Sequence, residues 1–177
     1  RHILKTPAYA YIDGNLCWVM TERGDSVIAD VRIKSLVRHV DDRGYFMEVL
    51  RDDEDLLPVF GQFSIAMTYP GVIKAFHYHR FQDDFWFFPV GEAQVVLYDL
   101  RDNSETKGKT QVVYMGETNP VLVRIPAGVA HGYRVLGNKP AIIAYITTRS
   151  YQREDTDEYR LPWNDPKIGF DWTTKNR

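Results

Sequence analysis

Gly71-Val-Ile-Lys-Ala-Phe-His77-Tyr-His79-Arg-Phe-Gln-Asp-Asp84, running on through Phe85-Trp-Phe-Phe-Pro-Val90 to Gly91, reads as two short strands with a turn between them. Residues two apart on a strand share a face, so alternation sets Ala75, His77 and His79 on one side and Phe76 and Tyr78 on the other. The second strand, Phe85 to Val90, is apolar on both faces, the mark of a strand buried from two sides. A further histidine follows in Ile125-Pro-Ala-Gly-Val-Ala-His131-Gly-Tyr133, after a Pro-x-Gly turn. Histidines placed on neighbouring buried strands are partly desolvated, and they either move protons or hold a metal.

The rest of the chain repeats this strand-and-turn rhythm. Val31–Val40 and Tyr45–Leu50 flank the turn Asp41-Asp42-Arg43-Gly44. Gln62–Thr68, Ala93–Leu100, Val112–Met115, Val121–Ile125, His131–Val135 and Ala141–Thr147 follow, separated by Gly, Pro, Asn and Asp. Only Asp52–Leu57 reads as a helical turn, closed by Pro58. The expected class is all-β, a jelly-roll barrel or sandwich with little helix. Residues 27–151 form that domain. Residues 1–26 are an arm that pairs with another chain, and 152–177 are a tail whose Trp163, Phe170 and Trp172 cover the barrel or a partner.

The 177 residues suffice for one domain with a true core. Twenty-two Lys and Arg nearly balance twenty-four Asp and Glu, so no global field draws in nucleic acid or an anionic membrane. The single cysteine, Cys17, excludes an internal disulfide and a cysteine-rich zinc site, and suits a reducing, cytoplasmic setting. No apolar run reaches the length of a spanning helix, and the start lacks a signal-peptide pattern.

Two readings of the histidines stand. The spacing Gly71-x5-His77-x-His79-x4-Asp84-x6-Gly91 is similar to the first motif of metal-binding cupins, with Asp for the usual Glu, and Pro126-x-Gly128-x2-His131 is similar to the core of the second. His77, His79, Asp84 and His131 would then ligate a divalent transition metal.

The other reading rests on a wider resemblance, from about Arg32 to Trp172. Its pieces are Asp42-Arg43-Gly44-Tyr45-Phe46-Met47-Glu48, Gly71 to Tyr78, Val96-Leu-Tyr-Asp-Leu-Arg101, Ile125 to Tyr133, Tyr145-Ile-Thr-Thr-Arg-Ser-Tyr151, Trp163-Asn-Asp-Pro166 and Ile168-Gly-Phe-Asp-Trp172. In this order they resemble the dTDP-4-dehydrorhamnose 3,5-epimerase family, a cupin jelly roll that works without metal. The resemblance implies proton abstraction beside the 4-keto group of a nucleotide-linked deoxysugar, no cofactor, and a homodimer. It places the base on His77 and the acid on Tyr145. Lys74 stands where the family has an arginine near the diphosphate or sugar, and His131 would bind and polarise the sugar. Arg43 would meet phosphate, Glu48 the thymine ring and Tyr151 its face, with Phe46, Gln62, Ser64 and Glu158 as further substrate contacts. Arg43 and its loop would reach a neighbour's site.

Two departures bear on the chemistry. His79 stands where the family has glutamine, and Asp84 falls where it has the lysine that steadies the oxyanion. The family supplies its base-orienting carboxylate well beyond the equivalent of Trp172; here that partner is expected to be missing, or replaced by another residue such as Asp84. The same two departures complete the metal set, and a third alternative is a non-catalytic sugar-nucleotide binding protein that has lost its acid–base groups.

Overall fold

The computed structural model describes residues 5–12, 15–22 and 27–175, with side chains from residue 27 on. Fourteen strands are present among them: β1 (Lys5–Ile12), β2 (Asn15–Glu22), β3 (Arg32–Ser35), β4 (His39–Asp41), β5 (Gly44–Phe46), β6 (Gln62–Thr68), β7 (Ile73–Tyr78), β8 (Asp84–Val90), β9 (Glu92–Asp99), β10 (Thr110–Gly116), β11 (Val121–Ile125), β12 (Val129–Leu136), β13 (Ala141–Thr147) and β14 (Tyr159–Arg160). A seven-stranded sheet runs β14-β7-β12-β9-β10-β1-β2, and a five-stranded sheet runs β3-β11-β8-β13-β6. Their pairings are antiparallel, and β4 and β5 form a separate hairpin. Two antiparallel sheets face to face are the layered arrangement expected of a jelly roll. Among the described residues no helix is long and apolar enough to cross a membrane.

Alternation along the strands builds the core between the sheets. Val95, Leu97, Val113, Met115, Tyr133 and Val135 come from the large sheet, and Trp86, Phe88, Val123, Ile125 and Ile143 from the small one. Each such burial contributes about 1.5–3 kcal/mol before chain entropy is counted. β8 is covered on its other face as well. Phe85 and Phe87 pack with Leu122 beneath Met47, Val49, Leu50, Leu56 and Leu57. The two-sided apolar pattern of β8 thus has its cause.

That cover also explains two corrections. Tyr45–Leu50 is not one strand, because β5 ends at Phe46 and the next residues turn inward over the small sheet. Asp52–Leu57 is turns and bends, not helix. It offers only Leu56 and Leu57 for burial, too short a run to repay helix nucleation. Its polar groups are tied instead to β3, where Lys34 Nζ donates to Glu54 at 2.6 Å and Arg32 donates to the Asp55 carbonyl at 2.9 Å.

The tail covers the outer face of the large sheet, where Ile168, Phe170 and Trp172 pack with Phe76, Val96, Tyr98 and Val112. Trp163 is not part of that packed cluster. It is 53% exposed and lends its carbonyl to Trp172 Nε1 at 2.9 Å. The first 26 residues, expected to pair with another chain, are described only in β1 and β2. These form a hairpin whose β1 pairs with β10 of the same chain, and the remaining positions of that arm lie outside the described residues.

Candidate active site

β7 and β12 build the first wall. His77 lies opposite His131, and Lys74 lies opposite Tyr133. Between these pairs Ala75 and Phe76 face the single residue Gly132, a bulge that shifts the alternation by one. Lys74 therefore takes the register position that alternation gave to Ala75, and Ala75 packs with the outer cluster. Gly132 is required by proximity, since a Cβ there would stand 2.3 Å from the Cβ of Ala75.

Four polar side chains converge behind this bulge. His79, Asp84 and His131 are buried, with exposures of 6%, 3% and 1%, and His77 is half-buried. His131 Nδ1 donates to the Val129 carbonyl at 2.8 Å, which leaves its Nε2 facing His77 Nε2 at 2.9 Å. In the neutral pair His77 Nε2–H is then the donor, and the lone pair of His77 resides on Nδ1. Among the described residues Nδ1 has no hydrogen-bond partner. His79 Nδ1 donates to the Asp157 carbonyl, which turns its Nε2 to Asp84 Oδ1 at 3.5 Å. Asp84 Oδ2 lies 3.5 Å from His131 Nε2. The two carboxylate oxygens also accept from Gln82 Nε2 at 2.8 Å and Trp86 Nε1 at 3.1 Å.

The electrostatics differ between neighbours. Burial, followed by the nearby His131, pushes the pKa of His77 down to about 2, with only partial offset from Asp84, so the ring is neutral. Burial also opposes charge on His79. There the Asp84 carboxylate and the Asp157 carbonyl outweigh it and raise the pKa. Asp84 is held well below the usual carboxylate range, since its bonds to His131 and His79 overcome the burial that would raise it.

The small sheet supplies the opposite wall. Tyr145 pairs in register with Trp86 and packs against the inner core, so it faces the large sheet. Between the walls lies a cavity of 1090 Å³ whose lining includes Lys74, His77, Asp84, Trp86, Tyr133 and Tyr145. Gln62, Tyr151 and Glu158 also line it. Gln62 accepts from the Tyr151 amide at 3.0 Å and donates to Ser64 at 2.9 Å, tying the three expected contacts together. Glu158 accepts from Arg160 Nε at 2.8 Å.

Arg43, Phe46 and Glu48 are not brought to this cavity. Arg43 sits at the tip of the β4–β5 hairpin, its side chain 85% exposed and paired with Asp41. Phe46 is exposed and stacks on His39, and Glu48 pairs with Arg51 at 3.0 Å. Sequence reasoning missed several lining residues. Trp86 and Tyr133 carried a usable signal, because Tyr133 lies two after His131 and so shares its face. Asp157 and Arg160 carried none. They arrive because β14 pairs with β7, setting Arg160 opposite His77.

The family model for dTDP-4-dehydrorhamnose 3,5-epimerase matches residues 25–177. The chain belongs to that family. It is therefore of an isomerase class, the sugar-nucleotide epimerases. It is 62% identical over 151 residues to the spore coat polysaccharide biosynthesis protein SpsL of Bacillus subtilis, covering 85% of this chain and 100% of that one. Among solved structures it is similar to a dTDP sugar isomerase of Desulfovibrio desulfuricans G20, with TM-score 0.78 and 28% identity over 85% of this chain and 95% of the other. It is also similar to the dTDP-6-deoxy-D-glucose-3,5-epimerase of Legionella pneumophila, solved with dTDP-4-keto-L-rhamnose, at TM-score 0.76 and 29% identity over 86% and 84%.

Proposed function

We propose that this epimerase acts on a dTDP-linked 4-keto-6-deoxyhexose in deoxysugar and polysaccharide synthesis, with His77 as base and Tyr145 as acid. The observation that carries the assignment is a neutral, desolvated His77 on one wall of a cavity whose opposite wall bears Tyr145. Inverting a carbon needs its proton taken from one face of the ring and returned on the other. His77 accepts the proton from the carbon beside the keto group, and the C–H electron pair moves into the enolate. Tyr145 then delivers its hydroxyl proton to the opposite face as the enolate collapses. Both groups regain their starting states by exchange with water. His131, given a sugar contact by the resemblance, lies buried behind His77 and acts by holding that ring through Nε2 at 2.9 Å. Lys74, with Arg149 and Arg160 on the same lining, offers cations to the diphosphate, while Tyr151, Gln62 and Glu158 receive the nucleoside, with Ser64, which is not on the lining, bonded to Gln62.

The functional unit in this reading is a homodimer. β6 is the edge of the small sheet and exposes Phe63, Ile65 and Met67 on its outer face. Such a stripe supports pairing with a second copy. The β4–β5 hairpin, which does not reach its own cavity, would then carry Arg43, Phe46 and Glu48 to a neighbour's nucleotide.

The test is exchange of the sugar C3 or C5 proton with solvent deuterium, followed by NMR. His77→Ala should lower the exchange rate by about 10²–10⁴-fold. Tyr145→Phe should retain exchange at the carbon while losing inversion. Full exchange in His77→Ala would remove His77 as the base. Arg43→Ala should weaken dTDP binding without altering the melting temperature, and unchanged affinity would remove Arg43 from the nucleotide site.

A further inference from the structure

The four groups at the base of the cavity have a second capacity that proton abstraction does not use. One donor atom from each of His77, His79, Asp84 and His131 lies within 4.8 Å of all the others. The closest separations are 2.9 Å for His77 to His131 and 3.5 Å for Asp84 to each of His79 and His131. Metal–nitrogen and metal–oxygen bonds of about 2.1 Å put neighbouring donors roughly 3.0–3.4 Å apart, at right-angle or tetrahedral geometry. The three closest separations fall beside those values, and the whole set lies within 4.8 Å.

The outer contacts agree. His79 and His131 each donate the far Nδ1–H to a backbone carbonyl, Asp157 and Val129, which fixes the ring and turns the Nε2 lone pair inward. This is how protein scaffolds orient imidazole ligands. Asp84 is likewise fixed by Gln82 and Trp86. Three imidazoles and one carboxylate are a donor set for zinc, cobalt or nickel rather than for magnesium or calcium, which prefer oxygen.

We propose that His77, His79, Asp84 and His131 form a binding site for one divalent transition-metal ion, and that occupancy blocks the epimerase. The ion takes the place of the proton now held between His77 and His131; that proton moves to His77 Nδ1, so the lone pair that would otherwise accept the substrate's proton is lost. The blocking half rests on His77 being the base, whereas the binding half does not.

The experiment titrates the chelator-stripped wild-type chain with Co²⁺ and reads visible absorption. One Co²⁺ per chain is expected, with bands stronger than those of the aqueous ion and displaced by Zn²⁺. His79→Ala and Asp84→Asn should each weaken binding by at least about tenfold. Absence of such bands in the wild type, or bands unaltered in both variants, overturns the site. Circular dichroism checks that the variants fold. If they do not, carbethoxylation of the wild type decides: Zn²⁺ should protect the clustered histidines but not exposed His39. Equal labelling with and without Zn²⁺ overturns the proposal. The deuterium-exchange assay separates the two halves. Equal exchange in loaded and stripped protein removes His77 from the ligand set. Binding by a stripped chain that never exchanges keeps the metal site and removes the base.

Discussion

Replacing Gly132 with alanine tests how closely the catalytic wall is held. Gly132 lies between His131 and Tyr133, opposite the bulge of Ala75 and Phe76. An added Cβ would stand 2.3 Å from Ala75 Cβ, 2.6 Å from Ala75 Cα and 2.8 Å from the Lys74 carbonyl oxygen. Two of these neighbours are backbone atoms, so no side-chain rotation relieves the contact. Carbon atoms prefer about 3.5–4.0 Å, so β7 must move from β12 by roughly 1 Å. Overpacking of this kind costs about 1–3 kcal/mol, or a fall in melting temperature of roughly 2–12 °C at this chain length. The larger effect falls on catalysis, because the same ladder sets His77 against His131 at 2.9 Å. A misplacement near 1 Å can cost about 10²-fold in rate. The assay pairs a thermal melt with deuterium exchange on the keto sugar. Gly137→Ala is the control. Gly137 has φ of +71° but nothing within 4 Å of its Cβ position, so it should lose stability without losing rate. A Gly132→Ala protein with wild-type exchange would refute the claim that the bulge positions the base.

Two further substitutions probe the frame around the site. Asp99 is fully buried and accepts from Arg101, Ser104 Oγ at 2.5 Å and Thr106 Oγ1 at 2.6 Å. Burial would raise its pKa, but those bonds overcome it and hold the group well below the usual range. A depressed folded-state pKa gives stability that is present above the unfolded value of about 3.9 and lost as pH falls towards the folded value. Asp99→Asn should cost about 2–3 kcal/mol at pH 7 in urea unfolding, with a smaller deficit at pH 3.5; an equal deficit at both would show that the carboxylate charge contributes nothing. Trp172→Ala should cost about 3–5 kcal/mol, because the ring packs on Phe76 and Phe170 at centroid distances of 5.5 and 4.8 Å. A melting temperature within a degree of wild type would mean that the tail does not hold the large sheet's outer face.

The fold was legible where alternation and turn chemistry coincide. β6, β11 and β13 begin and end where the pattern placed them, and β8 announced its two buried faces through unbroken aromatic residues. Legibility failed where long-range contacts decide. Nothing local marks the Ala75–Phe76 bulge, which exists because Gly132 lets β7 approach β12. The Asp52–Leu57 turns are set by Arg32 and Lys34, some 20 residues away. In the site, the histidines stand out by motif and spacing, and Tyr145 stands out only through the family resemblance. Asp157, which fixes His79 from 78 residues away, is marked by neither.

An aspartate where the resembling family carries the oxyanion lysine is an objection to catalysis if it is taken alone. Buried and unpaired, an anion there would repel the enolate and would itself be costly. The structure couples it to the other departure. Asp84 raises the pKa of His79, and His79 and His131 in turn lower that of Asp84. Each group is thus the other's buried partner, with His79 Nε2 set 3.5 Å from Asp84 Oδ1. Gln82 and Trp86 occupy the remaining lone pairs of the carboxylate. His79 and Asp84, which stand where the family has glutamine and lysine, are thus neighbours in one buried cluster. The proposed base, His77, stays neutral beside them, and Lys74 lines the same cavity as a cation. The pair also completes the donor set. A histidine and a carboxylate recruited to satisfy each other, beside two imidazoles already facing at 2.9 Å, leave a cluster in which a metal ion can replace the proton.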